Sequence, residues 1–90
     1  SEGTIPQQLK LCSISPNPFN SKTTISFEVP SGSSAQLTVA DLKGRILWQD
    51  VFEGGNHSIA FPLSHLPSGL YIVNLRSGKV SITRNAIMIK

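Results

Sequence analysis

The sequence predicts an all-β fold in which about seven short antiparallel strands form a β-sandwich. Three observations support this prediction. Apolar and polar residues alternate strictly in several runs, which is the pattern of half-buried strands. These runs are rich in β-branched and aromatic residues, which strands favour. Turn residues separate the runs at intervals too short for a long helix, and strands spaced in this way are typical of an immunoglobulin-like sandwich.

The predicted strands follow one another along a single small domain of 90 residues. The first strand lies around Cys12 and ends at a corner. Pro16 and Pro18 form this corner because they fix φ and exclude a helix, and we expect Phe19 to plug the end of the sandwich. The remaining runs, in chain order, are 24–29, 36–40, 46–52, 59–61, 71–75 and 80–83.

Glycine marks three of the predicted turns. Gly44 suits a tight hairpin, because it can adopt the positive φ that other residues avoid. Gly78 does the same between the last two strands. Gly69 permits a tight turn into a core strand, in which Tyr71 is expected to pack its ring and hydrogen-bond its hydroxyl.

Two segments depart from simple alternation. Residues 46–52 carry apolar side chains on both faces, and residues 86–89 are four consecutive apolar residues. Each pattern predicts a bulge or a strand that is covered on both sides. For residues 86–89 two interpretations stay open: an edge strand that pairs with a second chain, as in an edge-strand dimer, or the last core strand.

Charge is distributed unevenly along the chain. Residues 1–53 hold four cations against five carboxylates, whereas residues 54–90 hold four cations and no carboxylate. The positive part could steer an acidic partner toward one face, or its solvated cations could protect edge strands from aggregation. Cys12 is the only cysteine, so no internal disulfide forms, and we expect it to be a small buried residue.

No catalytic or ligand-binding constellation stands out, so we expect no enzyme activity, no cofactor and no metal. His57 and His65 are the plausible bases, but neither lies beside a candidate nucleophile. No glycine loop precedes a helix, which argues against nucleotide binding, and nothing indicates a nucleic-acid partner. Trp48 is the candidate for a sugar-stacking platform, but we expect it to be at least half-buried. No apolar run approaches the roughly 18 residues of a membrane span.

Six ordered segments carry a resemblance to a known family. They include Pro-Asn-Pro-Phe-Asn at 16–20 and Leu-Pro-Ser-Gly-Leu-Tyr at 66–71. The others are 23–30, 37–45, 55–59 and a basic last strand that ends at Lys90. Over about residues 11–90 the chain resembles the type A C-terminal sorting domain of the type IX (Por) secretion system. The full series is more specific than its Asn-Pro-Phe element alone.

The resemblance implies a recognition module rather than an enzyme. Residues 1–10 would be a linker from an upstream cargo domain, and residues 11–90 the sorting domain. The cargo would pass through the periplasm and then cross the outer membrane to the cell surface or the medium. The implied partners are the type IX translocon and a sortase-like cysteine protease, which would cleave in or before the linker.

Within that family the signal lies in the C-terminal segment, so we expect recognition through two turns and the final strand. The expected recognition residues are Pro67, Ser68, Gly69, Gly78, Lys79, Arg84 and Lys90. The residues expected to be structural are Pro16, Pro18, Phe19, Gly44 and Tyr71. The alternative is a structural or carbohydrate-binding appendage of an extracellular enzyme. Exposed and coplanar rings at Trp48 and Phe52 would favour sugar binding, and burial of both would weaken it.

Overall fold

The structure is a computed structural model that describes residues 8–15, 17, 22–61 and 66–89. In this part of the chain the backbone forms antiparallel strands and no helix, which confirms the all-β prediction. The strands are β1 (Lys10–Ser15), β2 (Thr24–Ala40), β3 (Ile46–Ala60), β4 (Gly69–Ser77) and β5 (Val80–Met88). None of the described elements is a helix long and apolar enough to cross a membrane.

β2 is the central strand of a single five-stranded sheet. β3 runs along one side of β2 for almost its whole length. On the other side, β1 pairs with the first part of β2 and β4 pairs with its last part. β5 pairs with β4 and completes the path. The buried side chains from the two ends of the sheet belong to one cluster. The sheet therefore curls around its inner face.

The structure has five strands where the sequence predicts seven, because the intervals 30–35 and 53–58 between predicted strands lie inside two longer strands, where they form a bulge. Val29 pairs with Gly55 and Ser34 pairs with Glu53, so residues 30–33 of β2 lie across from Gly54. A side chain could not fit at Gly54, since a Cβ atom there would lie 2.7 Å from the Pro30 carbonyl oxygen. β2 and β3 therefore bend together and continue, and one curled sheet stands where a two-sheet sandwich was predicted.

The core lies on the concave face of this sheet. Its buried side chains come from β1, β2, β4 and β5 and from residues next to the strands, and β3 contributes partly buried side chains such as Phe52. Phe27 is at its centre, with its ring centroid 5.0 Å from Phe52 in an edge-on contact and 5.1 Å from the His57 imidazole in a stacked one. The core residues are Leu9, Leu11, Ile25, Phe27, Val29, Ala35, Leu37, Val39, Phe61, Tyr71, Val73, Leu75, Ala86 and Met88. Strand alternation thus places one apolar face inside along most of β2 and β4.

The prediction that Cys12 is buried is wrong. A register shift between Leu11 and Ser13 leaves Cys12 without a pairing partner on β2. Leu11 points into the core before this bulge, and Ile14 packs against the core after it. The extra residue changes which positions face inward, and the thiol is left exposed.

The apolar run at the end of the chain alternates between the two faces of β5. Ala86 and Met88 are fully buried, whereas Ile87 is 39% exposed and Ile89, just after the strand, is 55% exposed. β5 is therefore a core strand on one face and an edge strand of the sheet. Residues 46–52 show the predicted bulge, because the pairing with β2 skips a residue between Ile46 and Trp48.

Candidate recognition surface

β4 and β5 form a hairpin that carries most of the expected recognition residues. Ser77 pairs with Val80, so Gly78 and Lys79 form a two-residue turn. Gly78 has a φ of 58°, in the left-handed region that favours glycine. Lys79 is exposed at the tip of the hairpin.

The turn at Pro67, Ser68 and Gly69 lies at the opposite end of β4. The Tyr71 hydroxyl donates a 2.6 Å hydrogen bond to the Pro67 carbonyl oxygen, and the Tyr71 side chain is buried. The bond fixes the turn to the core, because the ring cannot move without leaving its packed site. The three turn residues are exposed beside an open groove of about 320 Å³.

The structure separates the two predicted recognition turns. β4 has 9 residues, so the turns are roughly 30 Å apart at the rise of an extended strand. Gly69 pairs with Met88, which places the end of β5 beside the Pro67 turn. Arg84 lies between the two turns, opposite Val73, and is exposed. Lys90 lies outside the described residues, as do Pro16, Pro18, Phe19 and His65.

The charged side chains of the β4–β5 hairpin are all cations. Its cations Arg76, Lys79 and Arg84 are all exposed, and residues 54–90 contain no carboxylate. The ion pair found in the described residues joins Arg45 to Asp41, in the hairpin between β2 and β3. The β4–β5 hairpin therefore presents positive charge that no described carboxylate neutralises.

Asn17 makes a contact that sequence reasoning missed. Its side-chain Nδ2 donates to the Asn85 carbonyl oxygen, and its Oδ1 accepts from the Ile87 backbone N–H, both at 2.9 Å. The amide thus occupies the β5 edge as a peptide group of a further strand would. The prolines on either side of Asn17 argue against a helix there, but nothing in the sequence indicates a contact with β5.

The β2–β3 hairpin is held by Asp41. Its Oδ1 accepts from the backbone N–H groups of Lys43 and Arg45, its Oδ2 accepts from Arg45 Nε at 2.8 Å, and Gly44 has a φ of 83°. Desolvation opposes ionisation of Asp41, but these bonds outweigh it and lower the pKa of the carboxyl from its usual 3.8.

The described residues give no support to a metal or sugar site. No group of three histidine, cysteine, aspartate or glutamate side chains lies close enough there to hold a metal ion. Trp48 and Phe52 are half-buried and pack against the core, so they form no open stacking platform. His57 is also half-buried, with its Nε2 2.7 Å from the Glu53 carbonyl oxygen.

Cys12 Sγ lies 3.8 Å from Glu28 Oε2, and desolvation together with that carboxylate raises the pKa of the thiol.

A family model described as a secretion system C-terminal sorting domain matches residues 13–90. The chain belongs to this family. No curated protein matches the chain. The matched range holds β2 to β5 and the second half of β1, so the sorting domain includes nearly the whole described fold. The sorting domain is a C-terminal signal for export by the type IX secretion system, which takes a cargo across the outer membrane to the cell surface or the extracellular space.

Proposed function

We propose that the sorting domain is read by the type IX translocon as a folded unit, through the β4–β5 hairpin. The observation that carries this proposal is the exposed charge of Arg76, Lys79 and Arg84 on a segment with no carboxylate. An acidic surface on the translocon would be attracted to this hairpin before it makes close contact.

The two turns have different roles in this proposal. The turn at Gly78 and Lys79 presents charge at one end of the hairpin. The turn from Pro67 to Gly69 presents a fixed backbone shape at the other end, since Tyr71 holds it to the core. Two separated contacts on one rigid hairpin would define both the position and the direction of docking.

We also propose how the domain relates to its cargo. Residues 1–10 are a linker from an upstream cargo domain, supported by the polar composition of residues 1–8. The last two residues of this range join the linker to the fold, since Leu9 is in the core and Lys10 begins β1. The precursor passes through the periplasm, and a sortase-like cysteine protease cleaves in or before the linker. The domain is the substrate of that cleavage and has no catalytic activity of its own.

Localisation of a fusion protein tests this function. Residues 1–90 would be fused to a folded periplasmic reporter, in a bacterium with the type IX system and in a mutant without it. We expect the reporter at the surface or in the medium only in the competent strain. Retention in the periplasm of both strains, with the domain folded, would contradict the proposal. Deleting residues 86–90 would not test recognition by itself, because it removes the core residues Ala86 and Met88 and would destabilise the fold.

A further inference from the structure

The outer edge of β5 has a defined hydrogen-bonding pattern. In an antiparallel pair, the backbone groups of alternate residues point toward the partner strand and away from it. The Asn85 carbonyl and the Ile87 N–H both bond to Asn17, which is not on β4. The odd-numbered residues of β5 therefore direct their backbone groups away from β4, and the same alternation applies to Ser81 and Thr83.

Side chains cover part of this edge. Asn17 occupies it at Asn85 and Ile87, and Arg84 Nη1 donates to the Thr83 carbonyl oxygen at 3.1 Å. Within the described residues, the N–H of Thr83 has no hydrogen-bond acceptor. Polar side chains that cover an edge prevent uncontrolled strand pairing, and they can be displaced more easily than a paired strand.

β3 forms the opposite edge of this part of the sheet, and acidic side chains oppose strand addition there. β3 pairs only with β2 in the described structure, and the Val51 N–H donates 2.8 Å to Oδ1 of the adjacent Asp50. Glu53 is exposed on the same strand. An approaching acidic strand would meet repulsion at β3 and attraction at β5, where Arg84 is exposed and the exposed turn residue Lys79 adjoins the strand.

We propose that the outer edge of β5, from Ser81 to Ile87, is a strand-addition site for an extended, acidic segment of the type IX machinery. This inference rests on the proposed function. The incoming strand takes its affinity from backbone hydrogen bonds along the edge and its specificity from the neighbouring cations. It displaces the side chains of Asn17 and Arg84, which cover the edge until the partner arrives.

A proline substitution can remove one edge donor without touching the β4 ladder. Thr83→Pro deletes an N–H that points away from β4, and proline is tolerated in edge strands at such positions. Thr83→Ala is the matched control, because both variants lose the 3.0 Å hydrogen bond from Asn74 Nδ2 to the Thr83 hydroxyl. Only the proline variant also loses the backbone donor.

The experiment compares surface localisation of the reporter fusion carrying each variant, after a thermal melt confirms that both fold. We expect Thr83→Ala to be exported like the unaltered chain and Thr83→Pro to fall by about fivefold or more, since backbone bonds provide the affinity of strand addition. Equal export of the two variants would overturn the inference. Should Thr83→Pro fail to fold, Ser81→Pro against Ser81→Ala decides the question at the neighbouring outward position.

Two further outcomes distinguish failure of this inference from failure of the proposed function on which it rests. Failure of the unaltered fusion to leave the periplasm in the competent strain would contradict the proposed function itself. Export of the unaltered fusion, together with equal export of the proline and alanine variants, would contradict only the edge site. Dimerisation of the purified domain that Thr83→Pro abolishes, seen by sedimentation, would identify the added strand as a second copy and overturn the proposed occupant.

Discussion

Replacing Tyr71 tests how firmly the Pro67 turn is fixed to the core. Tyr71→Phe keeps the buried ring and removes only the hydroxyl, which donates a 2.6 Å bond to the Pro67 carbonyl oxygen. Pro67 is exposed, so water can replace the lost donor, and we expect the free energy of unfolding to fall by about 0.5 to 1.5 kcal/mol. A domain of this size loses about 4 to 8 °C of melting temperature per kcal/mol. The expected decrease is therefore about 2 to 12 °C.

Tyr71→Ala removes the ring as well and provides the scale for the first variant. A buried aromatic ring contributes about 3 to 5 kcal/mol, which is a large share of the roughly 5 to 15 kcal/mol that stabilises an ordinary domain. Melts of the two variants followed by circular dichroism, with urea titrations at 25 °C, measure both quantities. An unchanged melting temperature for Tyr71→Phe, together with a loss under about 1 kcal/mol for Tyr71→Ala, would refute the assignment of Tyr71 to the core.

Three other perturbations test separate parts of the fold. Gly54→Ala places a methyl group 2.7 Å from the Pro30 carbonyl oxygen, so we expect a loss of about 1 to 3 kcal/mol in a urea titration, and a neutral result would argue against the shared bulge. The pKa of Asp41 is lowered by folding, so its stabilising effect is present above 3.8 and disappears as the pH falls further. The melting temperature should drop as the pH falls below about 4, and Asp41→Asn should reduce that drop; identical pH profiles would contradict this. Desolvation and the Glu28 carboxylate both raise the pKa of the Cys12 thiol, so Glu28→Gln should speed its alkylation by iodoacetamide at neutral pH, and an unchanged rate would contradict the pairing.

Much of the fold could be predicted, because the alternation of apolar and polar residues indicates which side chains of a strand are buried. Ile25, Phe27 and Leu37 alternate with polar neighbours, and each is fully buried. The number of strands could not be predicted in the same way. The segments around Pro30 and Gly54 have the composition of turns, but the same residues also suit a bulge where two backbones approach closely. Only the pairing of β2 with β3 decides between the two.

The residues of the candidate recognition surface could be predicted in part from the sequence. The glycine at 78 and the cations of the last two strands are visible in the sequence, and the structure places them on one hairpin. The contact of Asn17 with β5 was not accessible, because it joins a side chain to backbone groups 68 and 70 positions away. Cys12 was misjudged because it is the extra residue of a bulge, so the alternation of Ile14 with its neighbours does not determine which way Cys12 faces.

The central claim, that the translocon reads the charged β4–β5 hairpin, is tested most directly by a matched pair of charge reversals in the reporter fusion. One variant carries Lys79→Glu with Arg84→Glu, and the other carries Lys22→Glu with Lys43→Glu. All four side chains are exposed, and the two variants have the same net charge. We expect the hairpin variant to lose about tenfold or more of its surface export and the control to keep it, as electrostatic complementarity at a docking surface requires. Equal export of the two folded variants would contradict the claim.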